Sequence, residues 1–213
     1  MSLLDKNKAL KLITILNKSI KNPKTSLKYR NKFTLLTSVV LSAQCTDVNV
    51  NNVTKNIYKK YYIPKHFVDL GISKIKNLIK SIGLFNSKAK NLYYLSKILL
   101  EKYQSKVPNK FEELMLLPGV GRKTANVVLN AAFNKPTIAV DTHVFRVGNR
   151  TGLSNGKNPE QVEEQLLKIL PVRHIKKAHH LLLLHGRYTC KARNPLCKEC
   201  VINMICLYKG KNE

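Results

Sequence analysis

Apolar residues recur at helical spacing along almost the whole sequence, which restricts the chain to a fold built mainly of helices. Two clear examples are Leu12, Ile13, Leu16 and Ile20, and Leu35, Leu36, Val39 and Val40. Only residues 136–140 have an extended pattern, and this segment is too short to found a sheet. With 213 residues, the chain is long enough for one large domain or two small ones.

Capping residues mark the start of several of these helices. The predicted N-terminal caps are Ser73, Asn86 or Ser87, and Asn158, which is followed by Pro159. The segment capped by Ser73 is expected to end at Gly83, and the long helix after it is expected to run to about Tyr103. Two stretches break the helical pattern, a glycine-rich turn and a cysteine cluster, and we expect the chemistry to lie near them.

The sequence is strongly basic, with 38 lysine and arginine residues against 12 aspartate and glutamate residues and a formal net charge of +26. Such an excess predicts a polyanionic partner, nucleic acid first and an anionic membrane surface second. Only seven of the basic residues are arginine, and asparagine and isoleucine are abundant. A codon bias toward A and T is therefore an alternative source of the lysines.

Nothing in the sequence predicts export or membrane insertion. The N-terminal segment contains scattered lysines and no uninterrupted apolar core, unlike a signal peptide. The longest apolar runs, such as Leu181 to Leu184, are far too short to cross a bilayer. We therefore expect a cytoplasmic protein without a membrane partner, whose five cysteines are metal ligands or core residues rather than disulfides.

The glycine-rich turn separates two helical patterns, Glu112 to Leu116 and Arg122 to Phe133, and Pro118 ends the first of them. Gly119 and Gly121 allow a sharp turn and a close approach to another molecule. The free N–H groups of the turn and of the second helix would form an anion site suited to a phosphate. A plain helix–helix turn is the alternative, whereas a mononucleotide P-loop does not fit the spacing.

Two charged residues beside this turn are candidates for catalysis. Lys123 lies in the first turn of the second helix, where the helix dipole and the neighbouring Arg122 both disfavour a protonated amine. A nucleophilic lysine requires this environment, although a lysine at a helix start can also simply contact phosphate. Asp141 is predicted to cap the next helix and, near Lys123, to stabilise positive charge on a sugar. His143 is expected to be structural or to lie near a phosphate.

Four cysteines near the C-terminus predict a metal centre. Cys190, Cys197, Cys200 and Cys206 have six, two and five residues between them. Structural zinc usually takes two closely spaced pairs, and only one such pair is present here. An iron–sulfur cluster suits a compact wrap of four cysteines at least as well, so the spacing alone leaves both metals open. Cys45 is predicted to be a packed free thiol.

Taken together, these motifs resemble the endonuclease III family. Leu117 to Leu129 is similar to its helix–hairpin–helix, Thr137 to Val147 to its aspartate loop, and His185 to Cys190 to the start of its iron–sulfur loop. Residues 41–44 and 83–88 resemble its two DNA-probing loops. The likeness covers nearly the whole chain.

The resemblance implies an all-α, two-lobed helix-hairpin-helix DNA glycosylase fold. Residues 25–135 would form a six-helix barrel domain, and residues 1–24 and 136–213 a second helical domain with a C-terminal four-iron four-sulfur (4Fe-4S) cluster loop. DNA would lie across the cleft between the domains. Two departures from the family pattern are Phe85, where tyrosine is common, and Cys45, where a small residue is common.

The resemblance also implies a monomeric DNA glycosylase and AP lyase that acts on oxidised pyrimidines and abasic sites in duplex DNA. Lys123 would attack C1′ of the flipped nucleotide with help from Asp141, and β-elimination through a Schiff base would cut the strand. Gln44 and Leu84 would fill the gap left by that nucleotide. The other implied DNA-binding residues are Gly119, Val120, Gly121, Arg122, Thr124 and His143. The four cysteines would hold the cluster, and DNA binding would place the protein at the nucleoid.

Three other functions are compatible with parts of the pattern. An adenine mismatch glycosylase of the same superfamily would share the hairpin, the aspartate and the cluster. It would lack a lysine at position 123, and it would carry an extra C-terminal domain that this sequence does not contain. A non-enzymatic DNA-binding protein with structural zinc and an electron-transfer protein are alternatives from other classes.

Overall fold

The computed structural model describes residues 3–212, and within them it contains ten α-helices, one 3₁₀-helix and no β-strand. The helices are α1 (Lys6–Ser19), α2 (Lys32–Leu41), α3 (Asp47–Lys60), α4 (Pro64–Ile79), α5 (Phe85–Lys102), α6 (Phe111–Met115), α7 (Arg122–Phe133), α8 (Thr142–Thr151), α9 (Pro159–Ile169) and α10 (Val172–Tyr188), with the 3₁₀-helix at Lys209–Asn212. The prediction of an all-α fold is confirmed. Residues 136–140, which have an extended pattern in the sequence, form a connection without regular secondary structure.

The chain folds into two compact units. The first, called here the hairpin unit, is Ser26–Phe133 and contains α2 to α7. The second, called here the cysteine unit, is Met1–Thr25 together with Asn134–Glu213 and contains α1 and α8 to α10. Each unit has its own cluster of buried apolar side chains.

Helix α2 lies at the centre of the hairpin unit, since every residue from Phe33 to Leu41 is buried. It packs against α3, α5 and α7. A helix that is buried on all sides needs small or apolar residues all round, which this segment supplies. Its start is fixed by a capping box, in which Asn31 accepts from the N–H of Thr34 and the Thr34 hydroxyl accepts from the N–H of Asn31.

Helix α4 differs from its sequence prediction at both ends. The chain is helical from Pro64, and a kink at Gly71, with a φ of 68°, separates its two segments. The second segment follows directly after Gly71, before the predicted cap at Ser73, and it ends at Ile79 rather than at Gly83. A glycine in the left-handed region turns the chain without a capping side chain, so capping preferences do not detect this start.

Helix α5 also starts earlier than predicted. Its N-cap is Leu84, in the left-handed region with a φ of 60° and without a side-chain capping bond, instead of Asn86 or Ser87. The predicted end is confirmed, because Tyr103 is the C-cap. Leucine is a poor capping residue, so the position of this start is set by tertiary contacts that the local sequence does not encode.

In the cysteine unit, α1 and α8 pack against α10, and α9 packs against α8. The core is formed by the apolar faces of these helices, with Leu12, Val147 and Leu181 fully buried. Asn158 caps α9 by accepting a hydrogen bond from the N–H of Gln161, as the sequence predicts. No helix within residues 3–212 combines the length and the apolar character needed to span a bilayer.

Candidate functional site

The glycine-rich turn of the hairpin unit joins α6 to α7 through a tight β-turn. The N–H of Val120 donates to the carbonyl of Leu117 at 3.0 Å, and Gly119 has a φ of 78°. Proline at the second position and a left-handed glycine at the third are typical of a type II turn. A Cβ at Gly119 would lie 2.8 Å from Nδ2 of Asn91, so glycine is required here by space as well as by conformation.

The turn leaves two glycine N–H groups available to a ligand. The N–H groups of Gly119 and Gly121 donate to none of the described residues, and the space where a Cβ of Gly121 would point is open. The sequence predicted that all N–H groups of the turn are free, and Val120 is an exception. Its N–H is used within the turn, and its side chain is only 6% exposed, so its role is to anchor the turn.

Helix α7 begins at Arg122, as the sequence predicts, and Lys123 is its second residue. The Lys123 side chain is exposed, whereas Thr124 is half-buried. The guanidinium of Arg122 lies over the ring of Phe111 at 5.3 Å, which attaches the start of α7 to α6. The lysine is therefore exposed at a fixed helix start, directly after the two available glycine N–H groups.

Asp141 of the cysteine unit caps α8, which confirms one of its two predicted roles. Its Oδ1 accepts hydrogen bonds from the N–H groups of His143 at 2.9 Å and Val144 at 2.8 Å. Its Oδ2 accepts no hydrogen bond from the described residues. The cap fixes the direction of the carboxylate and leaves one oxygen available to interact with a positive charge.

His143 lies in a network within the cysteine unit. Its Nδ1 is 3.3 Å from Nη2 of Arg146, which also donates to the carbonyl of Gly186 at 2.7 Å. Nε of Arg146 donates to the carbonyl of Cys190 at 2.9 Å. The contact ties His143 to Arg146, and Arg146, which sequence reasoning did not select, ties α8 to the chain leading into the cysteines.

The two residues expected to probe DNA belong to neighbouring loops of the hairpin unit. Gln44 and Leu84 are both exposed, and both have a left-handed backbone, with φ values of 52° and 60°. A Cβ built on Gly83 would lie 3.8 Å from the carbonyl oxygen of Gln44, so the two loops are in contact. Non-glycine residues adopt this conformation at a cost, and such strain is concentrated at functional sites.

The four clustered cysteines are close enough to influence one another's ionisation. Burial raises the pKa of the Cys200 thiol above its ordinary value, and the thiols of Cys206, Cys190 and Cys197 raise it further. Burial likewise raises the pKa of Cys206, with a further contribution from Cys190 and Cys197. Four partly buried thiols in one short segment are suited to a cationic centre, since a bound metal removes their protons.

All four of these cysteines belong to one short segment of the cysteine unit, and all four are partly buried. Within residues 3–212, no three histidine, cysteine, aspartate or glutamate side chains are positioned to hold a metal ion together. Cys45 is a partly buried free thiol that packs against the core of the hairpin unit, as predicted.

Two further side chains contact the sulfur atoms. Nη1 of Arg150 donates to Sγ of Cys190 at 3.7 Å, and Nε2 of His185 lies 3.7 Å from Sγ of Cys200. Burial lowers the pKa of His185 to about 4, so its ring is neutral at physiological pH. Sequence reasoning missed Arg150, although the scarcity of arginine in this lysine-rich chain was a usable signal. Only a guanidinium can serve several acceptors at once in a fixed geometry.

The candidate catalytic residues are contributed by different units, with Lys123 in the hairpin unit and Asp141 in the cysteine unit. The hairpin unit contains Lys123, the glycine turn and both probing loops. The cysteine unit contains Asp141, His143 and all four clustered cysteines.

Comparison with known proteins identifies relatives of the whole chain. Residues 37–172 match the family described as HhH-GPD superfamily base excision DNA repair protein. Endonuclease III of Rickettsia conorii is 56% identical over 198 residues, which are 93% of this chain and 94% of that relative. Endonuclease III of Escherichia coli K12 is 51% identical over 208 residues, which are 98% of this chain and 99% of that relative.

Solved structures share the fold. A trapped covalent intermediate of endonuclease III with DNA aligns with a TM-score of 0.90 at 42% identity, over 96% of each chain. A thermostable thymine-DNA glycosylase aligns with a TM-score of 0.80 at 25% identity, over 95% of this chain and 96% of that one. This chain therefore belongs to the HhH-GPD superfamily of base excision DNA repair proteins and, within it, to the endonuclease III family of DNA glycosylases that also cleave abasic sites.

Proposed function

We propose that this chain removes oxidised pyrimidines from duplex DNA and cuts the resulting abasic site by β-elimination through a Schiff base on Lys123. The observation that carries the proposal is the exposed lysine at the second position of α7, immediately after a turn with available glycine N–H groups. A phosphate held by that turn would place the neighbouring sugar within reach of the amine. An amine nucleophile is what distinguishes a lyase from a glycosylase that uses water alone.

In the proposed reaction, Nζ of Lys123, as a neutral amine, attacks C1′ while the bond from C1′ to the base breaks. The base departs with the electron pair of that bond and takes up a proton. The attached nitrogen then loses one proton, the bond from C1′ to O4′ breaks and O4′ takes up a proton, which leaves a protonated imine between Lys123 and C1′. Removal of a proton from C2′ then expels the 3′ oxygen as a phosphate, and hydrolysis of the imine releases the enzyme.

The hairpin and the aspartate have distinct parts in this reaction. The N–H groups of Gly119 and Gly121 would donate to a phosphate, and Arg122 and Thr124 at the start of α7 would add positive charge and a hydroxyl donor. Oδ2 of Asp141 would stabilise the positive charge that develops on the sugar as the base leaves. Because the cap already holds Oδ1, the carboxylate requires little reorganisation during the reaction.

Gln44 and Leu84 would fill the space vacated by the flipped nucleotide. Both side chains are exposed, and Leu84 is 56% exposed at the tip of its loop. An apolar side chain and an amide suit this place, since one stacks on bases and the other hydrogen-bonds to the base left unpaired. In this proposal, residues 25–135 act as the six-helix domain, and residues 1–24 and 136–213 as the domain with the metal centre.

We also assign a 4Fe-4S cluster to Cys190, Cys197, Cys200 and Cys206. The donor set fits, because four free and partly buried thiols occur within one short segment. When bound, the cluster would hold the C-terminal segment folded and could exchange an electron. Arg150 and His185 would contact two of its thiolate ligands. No step of the base-removal reaction is assigned to it.

Replacement of one cluster cysteine should remove the metal and loosen the cysteine unit. We expect Cys197→Ser protein to lack the broad visible absorbance and iron of the wild type and to melt at a lower temperature, because metal binding is coupled to folding. Iron analysis, absorption spectra and thermal unfolding measure this. Cys45→Ser, which removes the thiol outside the cluster, should keep the iron and the spectrum. Colourless active wild type containing stoichiometric zinc would contradict the assignment.

Affinity for duplex DNA should depend steeply on salt. If the lysine excess forms a surface for DNA, several phosphates are neutralised on binding, and affinity should fall by roughly a thousandfold or more between 50 and 200 mM salt. Fluorescence anisotropy with an undamaged duplex measures the slope. A nearly flat dependence would contradict this interpretation and attribute the lysines to codon bias.

The function itself is tested with a panel of duplexes that each carry one lesion. The panel contains several oxidised pyrimidines, an abasic site, an adenine mismatch and an undamaged control. We expect nicking at the oxidised pyrimidines and the abasic site, with covalent trapping by borohydride in each case. Preferential action on the adenine mismatch, or tight binding without any cleavage, would overturn the proposal in favour of one of the alternative functions.

A further inference from the structure

The hairpin unit contains a buried lysine that the proposed reaction does not use. Lys88 is only 4% exposed, and it lies on the face of α5 that also bears Ala89, Leu92 and Leu95. Burial lowers the pKa of its ammonium from the ordinary value. Since lysine is almost never fully buried unless it is paired, its partners indicate what it does.

Both partners of the ammonium are main-chain carbonyls at the end of α2. Nζ of Lys88 donates to the carbonyl of Leu41 at 2.9 Å and to that of Ala43 at 2.6 Å. Leu41 is the last residue of α2, and Ala43 immediately precedes Gln44. The last carbonyls of a helix lack partners within it and form the negative end of its dipole. The Lys88 side chain, which belongs to α5, therefore caps the C-terminal end of α2.

The same residue is also tied to the second probing loop. The main-chain N–H of Lys88 donates to the carbonyl of Leu84 at 3.0 Å, as the first intrahelical bond of α5. Its main chain is thus fixed to Leu84, and its side chain is fixed to the turn that carries Gln44. Gln44 and Leu84 both have left-handed backbones, which persist only where the surroundings hold them.

We propose that Lys88 is a positioning residue that sets the spacing between Gln44 and Leu84, so that both enter the duplex together when a nucleotide is flipped. This inference rests on the proposed function, because it assigns a structural cause to the action of the two probing residues. A hydrogen bond from an ammonium to a carbonyl is stronger than a neutral one, and two of them converge on one short turn. The turn before Gln44 thereby keeps one conformation without DNA.

The test compares Lys88→Met with Lys90→Met on two substrates. Lys88→Met keeps a long unbranched side chain but removes the donors, whereas Lys90 is exposed on the same helix and serves as the matched control. For Lys88→Met, we expect base removal from a lesion duplex under single-turnover conditions to fall by about tenfold or more. Cleavage of an abasic site in single-stranded DNA should fall much less, since no duplex has to be opened. Lys90→Met should behave as wild type on both substrates.

A double variant separates positioning from general damage to the fold. If the Lys88 side chain acts through the turn that carries Gln44, Gln44→Ala combined with Lys88→Met should be little slower on the lesion duplex than the slower single variant. Multiplication of the two defects, an equal loss on both substrates, or wild-type activity of Lys88→Met would each overturn the inference. If Lys88→Met melts below the assay temperature, Lys88→Gln, which retains one amide donor group, is tested against the same outcomes.

These outcomes are distinct from a failure of the proposed function. If the wild-type protein does not nick the abasic duplex, the proposed function is wrong, whatever the result for Lys88→Met. If the wild-type protein nicks normally and Lys88→Met is unimpaired, only the inference about Lys88 is wrong and the proposed function stands. A fluorescent base analogue placed opposite the lesion provides an independent readout, because its signal should rise on flipping in the wild type and less in Lys88→Met.

Discussion

Lys123→Gln protein should bind lesion-containing duplex DNA but should neither cut it nor become covalently trapped on it. Glutamine cannot form an imine, so the Schiff base on which β-elimination depends is never made. The binding elements remain, because the glycine N–H groups of the turn and the Arg122 contact with Phe111 do not involve the Lys123 side chain. We expect strand cleavage to fall to on the order of a thousandth of the wild-type rate or less.

Two measurements and one control make this result interpretable. Anisotropy gives the affinity for the lesion duplex, and borohydride trapping followed by denaturing electrophoresis reports the imine. Lys65→Gln is the control, since it removes one exposed surface charge from the same unit, where Lys65 pairs with Asp69. It should bind, trap and cut as the wild type does. Trapping and cutting by Lys123→Gln at the wild-type rate would mean that the nucleophile is another residue.

Features of the fold that depend on local sequence were predictable. The start of α7 at Arg122, the cap of α8 by Asp141 and the cap of α9 by Asn158 all agree with the structure. In each of these caps the side chain and the N–H that it accepts from are at most three residues apart, so the signal is contained in a few positions. The resemblance to the endonuclease III family was predictable for the same reason, because its motifs are short and contiguous. The relatives confirm it.

Features that depend on distant contacts were not predictable. α5 starts at Phe85 because Leu84 is held in a left-handed conformation beside the loop of Gln44, and capping preferences pointed to Asn86 or Ser87. Lys88 bonds to carbonyls 47 and 45 residues away in sequence. A lysine on the apolar face of an amphipathic helix was the available sign of a buried role. Its acceptors could be found only from the folded chain.

The proposed metal centre was predictable from local sequence in part, and the rest of it depends on distant contacts. Spacing along the chain supplied the four thiols, but it left zinc and an iron–sulfur cluster equally open. The structure adds the partial burial of all four thiols and the contacts from Arg150 and His185. Both contacts come from helices of the cysteine unit that precede the cysteine segment, so no local pattern around the cysteines includes them. Hydrogen bonds to cluster sulfurs are among the factors that set reduction potential, so in a protein with the proposed cluster these two residues would affect that potential.

The second large effect concerns Asp141→Asn, which should remove a charge without removing a helix cap. Asparagine is as good an N-cap as aspartate, so its side-chain oxygen should still accept from the N–H groups of His143 and Val144. The melting temperature should therefore change little. Base removal from a damaged duplex should slow by about a hundredfold or more, because the positive charge on the sugar loses its carboxylate partner.

The comparison between substrates identifies the step that Asp141 serves. Cleavage of a pre-formed abasic site should be less impaired in Asp141→Asn, because no base has to leave from that substrate. Asp5→Asn is the matched control, since Asp5 caps α1 in the same manner by accepting from the N–H of Lys8 at 2.8 Å. It should retain wild-type rates on both substrates. Equal slowing of Asp141→Asn on the damaged base and on the abasic site would assign Asp141 to the elimination step, and an unchanged rate on the damaged base would show that its carboxylate serves only as the cap of α8.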